Sequence, residues 1–319
     1  MNVVVATHGH CFDGLASAVV FTRLLRTVEG QGATFTYRAC GYGDGQLTPT
    51  DAVLTGDQNA ILDYRFSASE KLTWYFDHHR TAFANDAERE VFGKRAHTGR
   101  YFYDAACTSC TKLVCQVAKE KMGANLQGLE ELVHWADVID SAAFKTPDEA
   151  LDRTNPVMRL AAVVERYGDD KLLTELVPKL LERPLGEIAT MPSVEKRYAK
   201  IASQHEHFVE RVRARAVQKG RVVIVDLTDE VLEMIGKFVT YALYPRAVYS
   251  VIVGLMKNAT KISVGYNPWS GMPCDTDISA ICARYGGGGH PVVGAVQFGR
   301  QETTRAREVA FEIAAELSG

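Results

Sequence analysis

At 319 residues the chain is long enough for two domains with separate cores. It is 46% hydrophobic and 24% charged, the balance of an ordinary globular protein. A net charge of −3 and a pI of about 6.3 give no general electrostatic reason to hold long duplex nucleic acid.

Met1-Asn2 leads straight into an apolar run with no basic start or cleavage site, so no signal peptide is expected. No apolar stretch is long enough to span a bilayer, so no membrane association is expected. The seven cysteines are odd in number and scattered. They predict a reduced, cytoplasmic setting rather than a disulfide framework.

The first third alternates strand and helix. Residues 3–7 read as a short buried strand and residues 14–25 as a helix. Residues 34–39 form a second expected strand, ending in the glycine-rich turn Gly41-Tyr42-Gly43-Asp44-Gly45. Residues 60–62 are a third, closed by Asp63, and residues 72–76 a fourth, closed by Asp77-His78-His79. Apolar strands alternating with helices predict a parallel sheet covered on both faces. In such sheets ligands sit beyond the carboxyl ends of the strands, where His8, Asp63 and Asp77 all fall.

From 109 to 210 the pattern is mainly helical, interrupted by Pro147, Pro156, Pro178, Pro184 and Pro192. Residues 193–218 read as a charged, solvated helix joining two domains. Beyond it, strands are expected at 221–227, 248–256, 261–266 and 295–298. A helix is expected at 230–242, and a last one starts near Thr303. The fold class is therefore α/β, with a parallel-sheet domain at 1–192, a helical linker at 193–220 and a smaller α/β domain at 221–319.

Three strand ends carrying carboxylates and imidazoles suit hard divalent cations and phosphate chemistry. A two-metal site would draw on His8, His10 and Asp13 from the first strand end, Asp63 from the third and His78 from the fourth. Asp137 is the candidate for a late acidic ligand. Asp140, three residues on, lies close to the same helical face and competes with it. Cys107-x-x-Cys110 with Cys115 lacks the second pair that a zinc knuckle needs, so these thiols are read as buried or helix-capping. Tyr101–Tyr103, Asp104 and the Thr108-Ser109-Cys110-Thr111 run either bring hydroxyls to the site or cap a helix.

The stretches THGHCFDGLASA, ILDYRF, FDHHRTA, HWADVID and DISAICARYGGGGHPVVGA, in this order, resemble the DHH phosphoesterase superfamily with its DHH-associated C-terminal domain. The resemblance covers essentially the whole chain. It implies that His8, Asp13, Asp63, His78 and Asp137 are metal ligands, most simply for two Mn2+ ions, with Mg2+ or Co2+ as alternatives. It implies that Asp77 orients His78 and that His79 faces the substrate phosphate. Arg80, Gly287, Gly288, Gly289 and His290 would contact substrate, the glycines through unobstructed backbone N–H groups.

Two positions depart from the family pattern. His10 stands where a first-motif acid is usual, and Gly265-Tyr266-Asn267 stands where a substrate-binding arginine is common. The implied activity is hydrolysis of phosphate esters in a small nucleotide or short oligonucleotide, of the dinucleotide, cyclic dinucleotide or adenosine bisphosphate type. The alternatives are a catalytically weakened nucleotide-binding regulatory module and an inorganic pyrophosphatase-like hydrolase. A homodimer is compatible with the sequence, which does not specify it.

Overall fold

The computed structural model describes residues 1–41, 47–233, 236 and 238–319. The glycine-rich turn expected after Gly41 therefore lies outside the described residues. By contacts the chain divides into two compact units. The first is Met1–Phe144 with Arg153–Tyr198, and the second is Lys145–Asp152 with Ala199–Gly319.

The first unit opens with β1 (Asn2–His8), α1 (Phe12–Glu29), β2 (Thr34–Cys40), β3 (Gln58–Leu62) and β4 (Trp74–Asp77). It continues with α2 (Asp86–Ala96), β5 (Tyr101–Tyr103), α3 (Cys110–Glu120) and α4 (Glu130–Asp140). The strands form one sheet in the order β2-β1-β3-β4-β5, parallel throughout. The chain moves to one side of β1 for β2 and to the other for β3. This makes β1/β3 the switch point, with a crevice at the strands' carboxyl ends.

Side chains alternate across this sheet because a strand points successive residues to opposite faces. On β4, Trp74 and Phe76 meet Phe21 of α1 edge-on. Tyr75, between them, faces a second cluster with Tyr64, Phe66, Leu72 and Tyr101, against which Phe83 and Phe92 pack. Both faces are thus dry, which is why these strands read as continuous apolar runs.

The helical stretch resolves into α5 (Pro147–Leu151), α6 (Pro156–Tyr167), α7 (Asp170–Glu182), α8 (Leu185–Ala189) and α9 (Pro192–Arg215). Prolines begin α5, α6 and α9, where the missing N–H costs nothing. Pro178 sits inside α7. The long charged helix α9 ends at Arg215, short of the expected residue 218. Its continuation β6 (Ala216–Lys219) instead pairs antiparallel with β7 (Val222–Val231).

The second unit adds α10 (Val239–Leu243), β8 (Tyr249–Leu255), β9 (Ala259–Tyr266), α11 (Ile278–Ala283), β10 (Gly288–His290), β11 (Val293–Gly299) and α12 (Thr303–Ser318). Its sheet order is β10-β11-β9-β8-β7-β6, with β7/β8 the parallel pair and the other pairs antiparallel. Val222 and Ile224 face a core with Ile281, Val309 and Ile313. Val223, Val225 and Leu227 face Phe208, Val212 and Val239 on the other side.

The helix expected over 230–242 is corrected to α10 alone among the described residues. β7 continues past a register shift after Leu227, and Val231 pairs with Leu255. Sheet pairing claims the first part of what reads as a helical pattern. No helix among the described residues is long and apolar enough to cross a membrane.

Candidate metal centre

The site begins where β1 hands over to α1. Gly14 lets the first turn of α1 lie directly on the strand end, since a Cβ there would stand 2.2 Å from the His8 carbonyl oxygen. Thr7 Oγ1 fastens the same contact by donating to the Gly14 carbonyl (2.8 Å). Asp13, one residue earlier, is 1% exposed. Its carboxylate accepts the backbone N–H groups of Cys110 (2.7 Å) and Thr111 (3.0 Å).

Those N–H groups open α3, whose own cap is Ser109, accepting from Lys112 N–H (3.2 Å). A helix N-terminus favours an anion there. Charge-assisted bonds of this kind contribute roughly 1.5–3 kcal/mol each. The Ser109–Thr111 hydroxyl run thus serves the helix start, and Ser17 Oγ meets Thr111 Oγ1 at 3.1 Å. Cys107 and Cys110 give their thiols to backbone carbonyls of Ser109 and Phe76 (3.3 Å each). All seven cysteines are free.

Asp63 follows β3 with φ +55, a left-handed conformation that Asp and Asn adopt more readily than most residues. The residue is 1% exposed, yet neither carboxylate oxygen accepts a hydrogen bond. Imidazoles stand just beyond hydrogen-bonding reach, with His8 Nδ1 at 3.7 Å and His79 Nδ1 at 3.7 Å. His78 Nε2 lies 3.5 Å from Asp63, 3.3 Å from Asp140 and 4.0 Å from Asp13. It makes no hydrogen bond to any of them.

The two histidines of the DHH run are oriented differently from expectation. His79 Nδ1 donates to Asp77 Oδ1 (2.7 Å), so Asp77 orients His79 rather than His78. His78 Nδ1 donates to the Cys107 carbonyl (3.1 Å), which turns Nε2 toward the carboxylates. Asp77 itself is wholly buried and also accepts Tyr75 Oη–H (3.1 Å) and the N–H groups of His78 (2.9 Å) and His79 (3.3 Å). Arg80, next in sequence, is exposed.

Among the described residues three donor groups emerge, each with its ligand atoms within 4.8 Å of one another: His8 with Cys11 and Asp63; Asp63 with His78 and His79; Asp13 with His78 and Asp140. Of the two helical aspartates offered as a late ligand, Asp140 and not Asp137 stands in these groups. The Asp137 carboxylate is engaged by Thr108 Oγ1 and by Lys112 Nζ (3.1 Å). His10 does not join either. Its backbone is left-handed, φ +56, and its exposed ring donates from Nδ1 to the Glu165 carbonyl (3.2 Å). Cys11, absent from the sequence-based candidates, stands in the cluster instead. The signal that could have found it is a polarizable donor between two ligand positions at a strand end.

Carboxylates crowd this site, and imidazoles are the groups that offset their charge. Burial, then the charges of Asp63 and Asp140, push the Asp13 carboxyl well above the usual range. Burial alone would raise Asp63 too, but the His78 and His8 imidazoles outweigh it and hold Asp63 below the usual carboxylate range. Burial lowers His78, yet Asp63, Asp140 and Asp13 together bring it up to about 10. Burial and the same three aspartates push the Cys11 thiol well up. A divalent cation would offset the carboxylate charge further. The oxygen and nitrogen donors, several buried without partners, fit one.

Gly287–Gly289 and His290 lie in the second unit. Gly287 N–H is taken by the Cys282 carbonyl at the end of α11 (3.0 Å), which removes one of the donors expected to cradle phosphate. Gly288–His290 are exposed and form β10, paired with Val293–Ala295. A Cβ at Gly289 would stand 2.2 Å from the Val293 carbonyl. Gly287 and Gly289 are therefore required by a tight hairpin, whereas a Cβ at Gly288 would meet open space.

No family model matches the sequence and no curated protein matches it. Solved structures do. The chain is similar to the pGpG-specific phosphodiesterase PggH from Vibrio cholerae at TM-score 0.66 and 22% identity, over 98% of this chain and 99% of that one. It is similar to the DHH domain of PF0399, described as a member of a family of ribosomal proteins, at 0.61 and 12%, over 99% and 86%. RecJ from Thermus thermophilus in complex with Mn2+ matches at 0.57 and 11%, over 99% of this chain and 52% of that one. The same RecJ has been solved with Mg2+, and this chain spans about half its length. The chain has the fold of the DHH-domain proteins.

Proposed function

We propose that this chain is a metal-dependent phosphodiesterase acting on short linear nucleotides. The observation that carries the reading is the Asp63 carboxylate, buried at the switch point with both oxygens unpartnered. The imidazoles of His8, His78 and His79 face it without hydrogen-bonding it; a buried carboxylate left without hydrogen bonds costs about 1–3 kcal/mol, which suits a ligand position. Asp13, Asp63, His78 and Asp140 would hold one cation, with His8 and Asp63 contributing to a second. Cations bound there neutralise the charge of a phosphodiester and acidify a water molecule.

The chain's own groups define the rest. Asp77 fixes the His79 tautomer with the proton on Nδ1 and leaves Nε2 for the substrate. Burial lowers the His79 pKa, but the Asp77 bond and the Asp63 charge outweigh it and raise it. When protonated, the ring can present the Nε2 proton to a phosphate oxygen or to the leaving oxygen. Arg80 adds exposed positive charge beside it. His290, on the exposed β10 hairpin of the second unit, is kept as a candidate substrate contact from the family resemblance.

Short substrates are favoured because a net charge of −3 provides no extended basic track for a long strand. They are favoured too because the likeness to a pGpG-specific enzyme runs over nearly the full length of both chains. The test is turnover with Mn2+ across a 5′-phosphorylated dinucleotide, a cyclic dinucleotide, adenosine bisphosphate, pyrophosphate and a longer single strand. Selective cleavage of the linear dinucleotide to mononucleotides is the expected result. Binding of all nucleotides with turnover of none would favour a regulatory module instead.

A further inference from the structure

We propose that the Cys11 thiolate is a metal ligand, forming with His8 and Asp63 a cation position softer than the one built from Asp13, His78 and Asp140. The inference rests on the metal-dependent reading above and concerns which residue stands in for the missing first-motif acid.

Four observations carry it. The Cys11 Sγ, a His8 ring nitrogen and an Asp63 oxygen lie within 4.8 Å of one another. That is the scale of one coordination shell, since metal–ligand bonds of about 2.0–2.3 Å keep donors within roughly 4.6 Å. His10, the residue standing at the acidic position, has turned away to the Glu165 carbonyl, so the next residue is the one that reaches the site. Cys11 is the N-cap of α1 with extended backbone (φ −129, ψ 131), and its side chain makes no capping hydrogen bond. A residue chosen to cap would be Ser, Thr, Asp or Asn. The backbone N–H of Gly14, at the start of α1, faces the sulfur and favours its thiolate. Finally, the Asp63 carboxylate it faces is 1% exposed with both oxygens unpartnered, which marks the space between them as a ligand position.

The two positions then differ in chemistry. Asp13, His78 and Asp140 present oxygen and nitrogen alone, suited to manganese or magnesium. His8, Cys11 and Asp63 add a thiolate, which favours zinc, cobalt or cadmium over manganese. On coordination the thiol proton passes to solvent, as metal binding to cysteine requires.

The experiment strips the full-length protein with a chelator and titrates it with cobalt(II), following bound cobalt by elemental analysis and the sulfur-to-cobalt charge-transfer absorption in the near ultraviolet. The wild type should bind cobalt and develop the band. Cys11→Ser should keep bound cobalt at the oxygen and nitrogen position but lose the band. The same variant should bind cadmium about tenfold or more weakly with manganese affinity little changed, because even outer-shell partners of metal ligands are worth that much. Cys11→Asp, which restores an acid at the site, should also lack the band and serves if the serine variant fails to fold. Cobalt bound to the wild type without the band, or a band that survives both substitutions, overturns the Cys11 assignment and leaves the metal reading standing. Absence of cobalt binding altogether overturns both.

Discussion

Asp77 and Asp63 are both buried carboxylates at strand ends, and their surroundings give them opposite tasks. Asp77 is saturated by the Tyr75 hydroxyl, two backbone N–H groups and His79 Nδ1, so it can only orient. Asp63 accepts no hydrogen bond and is surrounded by imidazoles, which is why the proposed reading gives it the cation. Asp77→Asn keeps an acceptor but loses the charge that supports a protonated His79. The variant should fold normally, bind manganese normally by calorimetry, and lose about 10–100-fold in kcat. At this scale the sequence located the strand ends but not the orientation of side chains on them. Asp137 and Asp140 share a helix face in the sequence pattern. Only the packing of α4 shows that Lys112 and Thr108 claim the first. His10 and Cys11 are adjacent, and a left-handed backbone at His10 decides which side chain enters the site; no periodicity encodes that choice.

At the scale of elements, two contacts test how the framework places the ligands. Gly14→Ala puts a methyl 2.2 Å from the His8 carbonyl oxygen, so α1 must move off β1 and carry Asp13 with it. The expected cost is about 1–3 kcal/mol, as for other overpacked sites, read from denaturant midpoints, together with weaker manganese binding. Elsewhere in the unit, Glu175 of α7 pairs with Arg197 of α9 at 2.7 Å. The Arg197 hydrogen bond, opposed by partial burial and aided by Ser193, holds the Glu175 carboxyl below its ordinary 4.5. A depressed carboxyl stabilises the fold above its unfolded value and loses that contribution as pH falls through the folded one. Arg197→Met should therefore lower Tm by about 2 °C at pH 7, the size expected of a partly exposed pair. The gap should close as pH drops below 4.5; a gap that stays constant contradicts the pairing. Strands β1, β3 and β4 were legible because both faces of their sheet are dry there, whereas the edge strand β2 leaves Thr34 and Thr36 exposed. The three-residue β5 was too short to register. The short β6 looked like more of α9, and its pairing with β7 makes it a strand. The expected 230–242 helix failed because β7 continues by pairing with β8, a long-range contact that local pattern does not reveal.

At the scale of the whole molecule, the chain offers a parallel sheet whose switch point gathers the carboxylates and imidazoles, and a second unit with its own two-faced core. The order of motifs along the sequence made this layout legible, because each of the strand-end motifs closes a strand of one sheet. The central claim is that cations held by the strand-end ligands drive hydrolysis of a short nucleotide. The most direct measurement is the rate of mononucleotide release from a 5′-phosphorylated dinucleotide by chelator-stripped wild-type and His78→Ala protein, each with and without added manganese. The account requires turnover only with manganese, and its loss in His78→Ala by about a thousandfold or more, the scale of removing a central catalytic group, with circular dichroism unchanged. Equal rates in the two proteins, or turnover indifferent to the metal, would contradict it.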